Sequence, residues 1–174
     1  DLNHDGWLDL IVGSYEDPVA HHHDTGLSIF WGRAEGWSQA DSQSLPGLTP
    51  LAITAADLDG DGYLDIVSPH YHGELSRENL PCYIFWGSAE GYAPLRRTPL
   101  IVDSASEVEI ADFDRDGKLD LAFAAHSVDP GHHTRTPIYF NDGHRFSSPK
   151  VQYLPVSGPH YGWVQDVGNI YDRS

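Results

Sequence analysis

Positive charge is scarce in this chain: ten Lys and Arg stand against 26 Asp and Glu, a formal net charge of −16. Such a surface repels phosphate backbones and anionic headgroups, so nucleic acid and an anionic membrane surface are not expected as partners. Methionine is absent and Cys82 is the one cysteine. No internal disulfide can form, and the redox compartment is left open. No apolar run approaches the roughly 20 residues of a membrane span, so direct membrane insertion is not expected either. Sustained 3.6-residue periodicity is missing as well, which leaves no long amphipathic helix to place. A chain without Met that opens on the first residue of a repeated motif is expected to be a piece of something longer, or a processed product.

What is present is a repeat. An acidic motif begins at Asp1 ("DLNHDGWLDLIV"), at Asp57 ("DLDGDGYLDIVS") and at Asp112 ("DFDRDGKLDLAF"), and a degraded copy, "DVGNIYDRS", begins at Asp166. The spacings are 56, 55 and 54 residues. A second landmark keeps the same beat: "IFWGRAEGWS" at Ile29, "IFWGSAEGYA" at Ile84 and "IYFNDGHRFS" at Ile138. Periods near 50 residues belong to propeller and solenoid units. The segments around each motif are short, β-branched or aromatic, and bounded by Gly, Pro and Asp, which is strand patterning. "LAITAAD", "EVEIADF" and "HYGWVQD" precede acidic loops, the "YLDIVSPHY" type follows them, and then come the "IFWG" strand and a segment such as "PLIVDS". Four short strands per unit, several apolar on both faces, predict an all-β chain of propeller blades with four antiparallel strands each. With 40% hydrophobic and 11% aromatic residues there is material for a packed core. The units run approximately over residues 1–56, 57–111 and 112–165, and a degenerate fourth starts at 166–174.

"DLDGDGYLDIV" and "DFDRDGKLDLA", each with a preceding "A-D" strand and a following "xxFWG" strand, resemble FG-GAP/VCBS repeats. These are the blades of integrin-α-like β-propellers, which carry calcium in the same loop. The resemblance implies that residues 1–174 are about three blades of a larger ring. Further blades would come from missing sequence or from another chain.

The acidic loops also speak for themselves. Oxygen donors at positions 1, 3 and 5 with Gly at position 6 open a calcium loop. An EF-hand would place a bidentate Glu at position 12, where this chain has Val12, Ser68 and Phe123, each inside a strand segment. An Asp recurs instead at position 9. The expected metal shells are Asp1, Asn3, Asp5 and Asp9; Asp57, Asp59, Asp61 and Asp65; and Asp112, Asp114, Asp116 and Asp120. The carbonyls of Trp7, Tyr63 and Lys118 are expected to add one oxygen each. Hard oxygen donors on a flexible loop favour Ca²⁺ over Mg²⁺, giving two to three ions, and the fourth copy is expected to bind none because Gly168 and Ile170 replace donors. Such ions would be structural, since metal binding relieves the repulsion among clustered carboxylates and becomes folding energy.

Nine of the eleven histidines lie in segments that an up-and-down blade places at the end opposite these loops: His21, His22, His23, His70, His72, His126, His132, His133 and His160. His4 and His144 fall on the calcium side. The nine define a candidate ligand or transition-metal face. Asp24, Glu74, Arg77, Glu78, Asp129 and Arg135 in the same loops suit polar or sugar-like ligands, and Tyr15, Tyr71 and Tyr161 add aromatic surface. No nucleophile motif is present, and the "GRAEG" and "GSAEG" turns lack the Lys of a phosphate loop. The expected function is therefore a non-catalytic, calcium-stabilised module that binds a protein or glycan outside the cell, at its surface or in the periplasm. The alternative is a metal-dependent carbohydrate-active enzyme of lyase or dehydratase type using the His-rich face.

Overall fold

The computed structural model describes residues 1–126 and 136–154. His132, His133, His160, Asp129, Arg135, Tyr161 and the copy from Asp166 lie outside them. The described residues form eleven strands, one 3₁₀ turn at Gln39–Asp41 and no α-helix. The strands are β1 (Leu10–Gly13), β2 (Leu27–Phe30), β3 (Ser42–Leu45), β4 (Thr54–Ala56), β5 (Asp65–Ser68) and β6 (Leu80–Phe85). They continue with β7 (Arg97–Val102), β8 (Ala105–Ala111), β9 (Asp120–Ala125), β10 (Thr136–Phe140) and β11 (Lys150–Leu154). Among these residues no helix is long and apolar enough to cross a membrane.

Three sheets result, ordered β1-β2-β3, β4-β5-β6-β7 and β8-β9-β10-β11, and all observed pairings are antiparallel between chain neighbours. The expected all-β architecture of four-stranded meanders is therefore present in the second and third sheets. Each of those acidic loops is the turn of a hairpin, closing Ala56 against Asp65 and Ala111 against Asp120. The structural blade is thus offset from the sequence unit, because the strand before a loop pairs with the strand after it.

Alternation along the middle sheet explains why both of its faces are apolar. Ile66 and Phe85 face the first sheet, where they pack with Leu2, Leu27, Ile29 and Leu45. Their neighbours Val67 and Ile84 face the third sheet, packing with Val108, Leu121, Phe123 and Phe146. Successive strand side chains point to opposite faces, so a sheet sandwiched between two others must be hydrophobic at every position. All four residues of β5 and all six of β9 are buried. Two apolar layers between three sheets are the stacking of propeller-like blades. Because the strands run up and down, acidic loops gather at one end of the stack and the β1–β2 and β5–β6 loops at the other.

Candidate metal centre

The three acidic loops share one backbone path. Position 4 is left-handed in each (His4 φ 60°, Gly60 φ 76°, Arg115 φ 62°), and so is position 6 (Gly6 φ 90°, Gly62 φ 92°, Gly117 φ 88°). Position 6 lies where only glycine is unstrained, which accounts for Gly in every copy. Those turns aim amides at the loop's own carboxylates. In the first loop Asp1 accepts from Asp5 and Gly6 at 3.0 and 2.9 Å, and Asp5 accepts from Trp7 at 2.9 Å. In the third, Asp112 accepts from Asp116 and Gly117 at 3.0 and 2.9 Å, and Asp116 from Lys118 at 2.9 Å. The second is the same but for one step: Asp57 accepts from Gly60 and Gly62 at 2.8 and 3.0 Å.

Donors at positions 1, 3 and 5 converge. One carboxylate oxygen each from Asp57, Asp59 and Asp61 lie within 4.8 Å of one another, as do those of Asp112, Asp114 and Asp116. Asn3 takes the middle place in the first loop, where its amide nitrogen donates to Asp5 at 2.9 Å and its oxygen accepts from the Asp5 amide at 3.1 Å. Three hard oxygens at this spacing fit an oxygen-preferring dication, which would supply the positive charge that the loops lack.

Position 9 makes contacts that the spacing did not reveal, and the converging donor groups of the second and third loops do not include it. Asp9, Asp65 and Asp120 each accept two backbone amides, one per carboxylate oxygen. Asp9 receives Leu2 and Gly32, both at 2.7 Å. Asp65 receives Leu58 and Gly87, both at 2.8 Å, and Asp120 receives Phe113 and Asn141 at 2.9 and 2.8 Å. The carboxylate staples the loop's start to the turn that follows the "FWG" strand. Any metal bond would use its remaining lone pairs. Burial pushes the Asp65 carboxyl up to about 7, against the two amides and with help from the like charges of Asp59 and Asp61. Burial raises Asp120 in the same way.

Basic side chains also sit on two loops. Lys118 pairs with Asp116, an interaction that holds the Asp116 carboxyl below the usual range. Arg145, from the β10–β11 turn, reaches the second loop and donates from Nε to Asp59 at 2.7 Å. The motif pattern does not flag Arg145, but aligning "NDGHRF" with "GSAEGY" would have shown an Arg where the sister turn has Gly.

At the opposite end the structure brings some histidines together and removes one. The rings of His23 and His72 stack with centroids 3.9 Å apart, joining the first and second sheets. His23 Nδ1 lies 3.2 Å from the Tyr15 carbonyl, and His72 Nδ1 lies 2.6 Å from that of Gly73. His21 instead pairs with Glu16 at 2.9 Å. His70, expected at the surface, is completely buried, with Nε2 3.3 Å from the Ser68 hydroxyl and its ring edge-on to Tyr83. Burial pushes its imidazole down to about 4. Among the described residues, the groups of three or more metal donors within 4.8 Å are the two acidic ones, and no imidazole belongs to either.

This end carries its own repeat, invisible in the acidic pattern. Tyr15, Tyr71 and His126 occupy equivalent places and run as a row, with ring centroids 6.5 and 5.4 Å apart. Beneath them, buried Thr49 and Ser104, both left-handed, donate their hydroxyls to the carbonyls of Tyr15 and Tyr71 at 2.9 and 2.8 Å. Each hydroxyl ties the segment entering one blade to the β1–β2 or β5–β6 loop of the blade before it. The signal was a hydroxyl recurring 55 residues apart. No curated protein and no solved structure matches the chain. Residues 1–68, which hold the first two acidic loops and the sheet between them, match the family model described as FG-GAP-like repeat.

Proposed function

We propose that this chain is a calcium-stabilised β-propeller-like binding module that works outside the cytoplasm and meets a protein or glycan at its histidine and tyrosine face. The observation that carries the calcium reading is the convergence of three carboxylate oxygens within 4.8 Å in both the second and third loops, on a backbone path that all three loops share. Affinities of extracellular calcium modules, about 10⁻⁴–10⁻³ M, suit a site with exposed donors and solvent access. Binding is favoured over catalysis for the other face because its described rings pack on one another, as a rigid surface does, rather than pointing at a common centre. Rigid scaffolds with variable loops commonly carry recognition.

Calorimetric titration with calcium, paired with thermal melts in calcium and in chelator, tests the reading. At calcium tenfold above Kd, each occupied loop adds about 1.4 kcal/mol. Two loops then raise Tm by roughly 5 to 10 °C. A Tm that ignores chelation, with no heat of calcium binding, overturns it.

A further inference from the structure

We propose that Arg145 is a built-in competitor for calcium at the second acidic loop, so that a cation binding in the middle blade must displace a contact made by the third. The inference rests on the calcium reading above. Its observations are separate from the acidic pattern.

Arg145 meets two of the three converging donors. Its Nη2 is 2.6 Å from Asp59 Oδ2 and 3.9 Å from Asp61 Oδ2, while Nε donates to the same Asp59 oxygen. A guanidinium is charged at every accessible pH, so it permanently offsets one of this loop's negative charges. A dication arriving at Asp59 would face that positive charge across a single carboxylate oxygen.

The contact is built rather than casual. Asp142 accepts from the amides of His144, Phe146 and Ser148 at 2.8, 3.1 and 2.7 Å, which fixes the turn. Phe146, next along, is buried in the layer between the second and third sheets. Thr98 donates to the Arg145 carbonyl at 2.9 Å, and Asn141 donates across the blades to the Leu58 carbonyl at 2.9 Å. The guanidinium carbon lies 5.1 Å from the Trp86 ring centroid.

Backbone strain points the same way. Arg145 has φ 58°, in the left-handed region. The equivalent residues of the other two turns are Gly36 and Gly91, with φ 92° and 75°. A side chain is disfavoured there, and strain of that kind persists where surrounding structure enforces it. Phe146 beside it is left-handed as well, at φ 55°, so the turn as a whole holds the Arg145 side chain towards the neighbouring loop.

Calcium alone, titrated into the isotopically labelled chain, reads the loops separately through the amide resonances of Gly60 and Gly62 in the second loop and Gly117 in the third. In Arg145→Gln and Arg145→Gly, half-saturation of the Gly60 and Gly62 shifts should fall about fivefold in calcium concentration, as removal of a partly exposed ion pair allows. The Gly117 midpoint should stay where it was. Arg145→Gly recreates the sister turns and so keeps the fold, and Arg145→Lys, which retains the charge, should return the midpoint towards wild type. An unchanged Gly60 midpoint in both neutral variants, or an equal shift at Gly117, overturns the role of Arg145. A wild-type chain with no calcium response at either loop overturns the calcium reading and this inference with it.

Discussion

At one end of the blades the acidic loops repeat nearly bond for bond, from the left-handed fourth and sixth positions to the doubly bonded Asp9, Asp65 and Asp120. At the other end the repeat is looser: Thr49 and Ser104 recur as hydroxyl ties, and above them Tyr15, Tyr71 and His126 stand in equivalent places, an imidazole replacing the phenol in the third. The difference separates two tasks. An end that holds an ion, as proposed here, would keep its oxygen donors constant, and Asn3 in place of Asp59 and Asp114 keeps the oxygen while dropping the charge. An end that offers a surface keeps its frame and varies what the frame displays.

Substitution can separate amide staple from proposed ligand at the acidic end. Asp65→Ala leaves the buried amides of Leu58 and Gly87 without acceptors and should cost roughly 3 kcal/mol in urea denaturation, with chelator present. Asp59→Ala, at an exposed loop tip, should cost within about 1 kcal/mol in chelator and show its main effect only in calcium. Equal losses for the two variants in chelator would merge the roles that the hydrogen bonds assign to positions 3 and 9.

A second break comes from His70, buried where the surface end meets the core. Its folded imidazole titrates at about 4 against 6.5 in the unfolded chain. Between those values the unfolded state binds the proton that the folded state refuses, so stability is full above pH 6.5 and falls as pH drops towards 4. The loss attributable to this residue approaches roughly 3 kcal/mol. Denaturation of wild type and His70→Gln across that range isolates it from the carboxylates, and identical slopes in both proteins would place the ring in water.

The acidic end was the more legible one. Asp, Gly and Asp at fixed offsets carry their geometry in the residue types, because position 6 demands glycine and converging oxygens demand carboxylates. Strand order followed from the 55-residue beat and from runs such as "LDIV", apolar on both faces because two neighbours cover them. The stapling by Asp65 was not legible, since a carboxylate that holds amides and one that would bind metal are the same letter. Nor was the burial of His70, which sits just past β5 in a run of polar residues. Its surroundings come from Pro50, Cys82 and Tyr83, distant in sequence and gathered only by the meander. Arg145 escaped because its partner Asp59 lies 86 residues away, in another blade.

The smallest effect tests whether the surface end is rigid between blades. His23 and His72 stack across the first and second sheets, with Thr49 Oγ1 3.2 Å from His23 Nδ1 and Glu74 accepting the His23 backbone amide. A double-mutant cycle with His23→Ala and His72→Ala should return a coupling of about 0.5–1 kcal/mol at pH 8, the value expected of one ring pair. Burial holds the His72 imidazole below its usual value, and the nearby Arg77 charge adds to that depression. Its neutral form is therefore the one favoured in the folded chain, and the coupling should fade once acid protonates the His72 ring. A coupling near zero at pH 8 would mean that the two blades meet only through their apolar layer and the hydroxyl ties. The surface above them would then be two independent loops instead of one continuous platform.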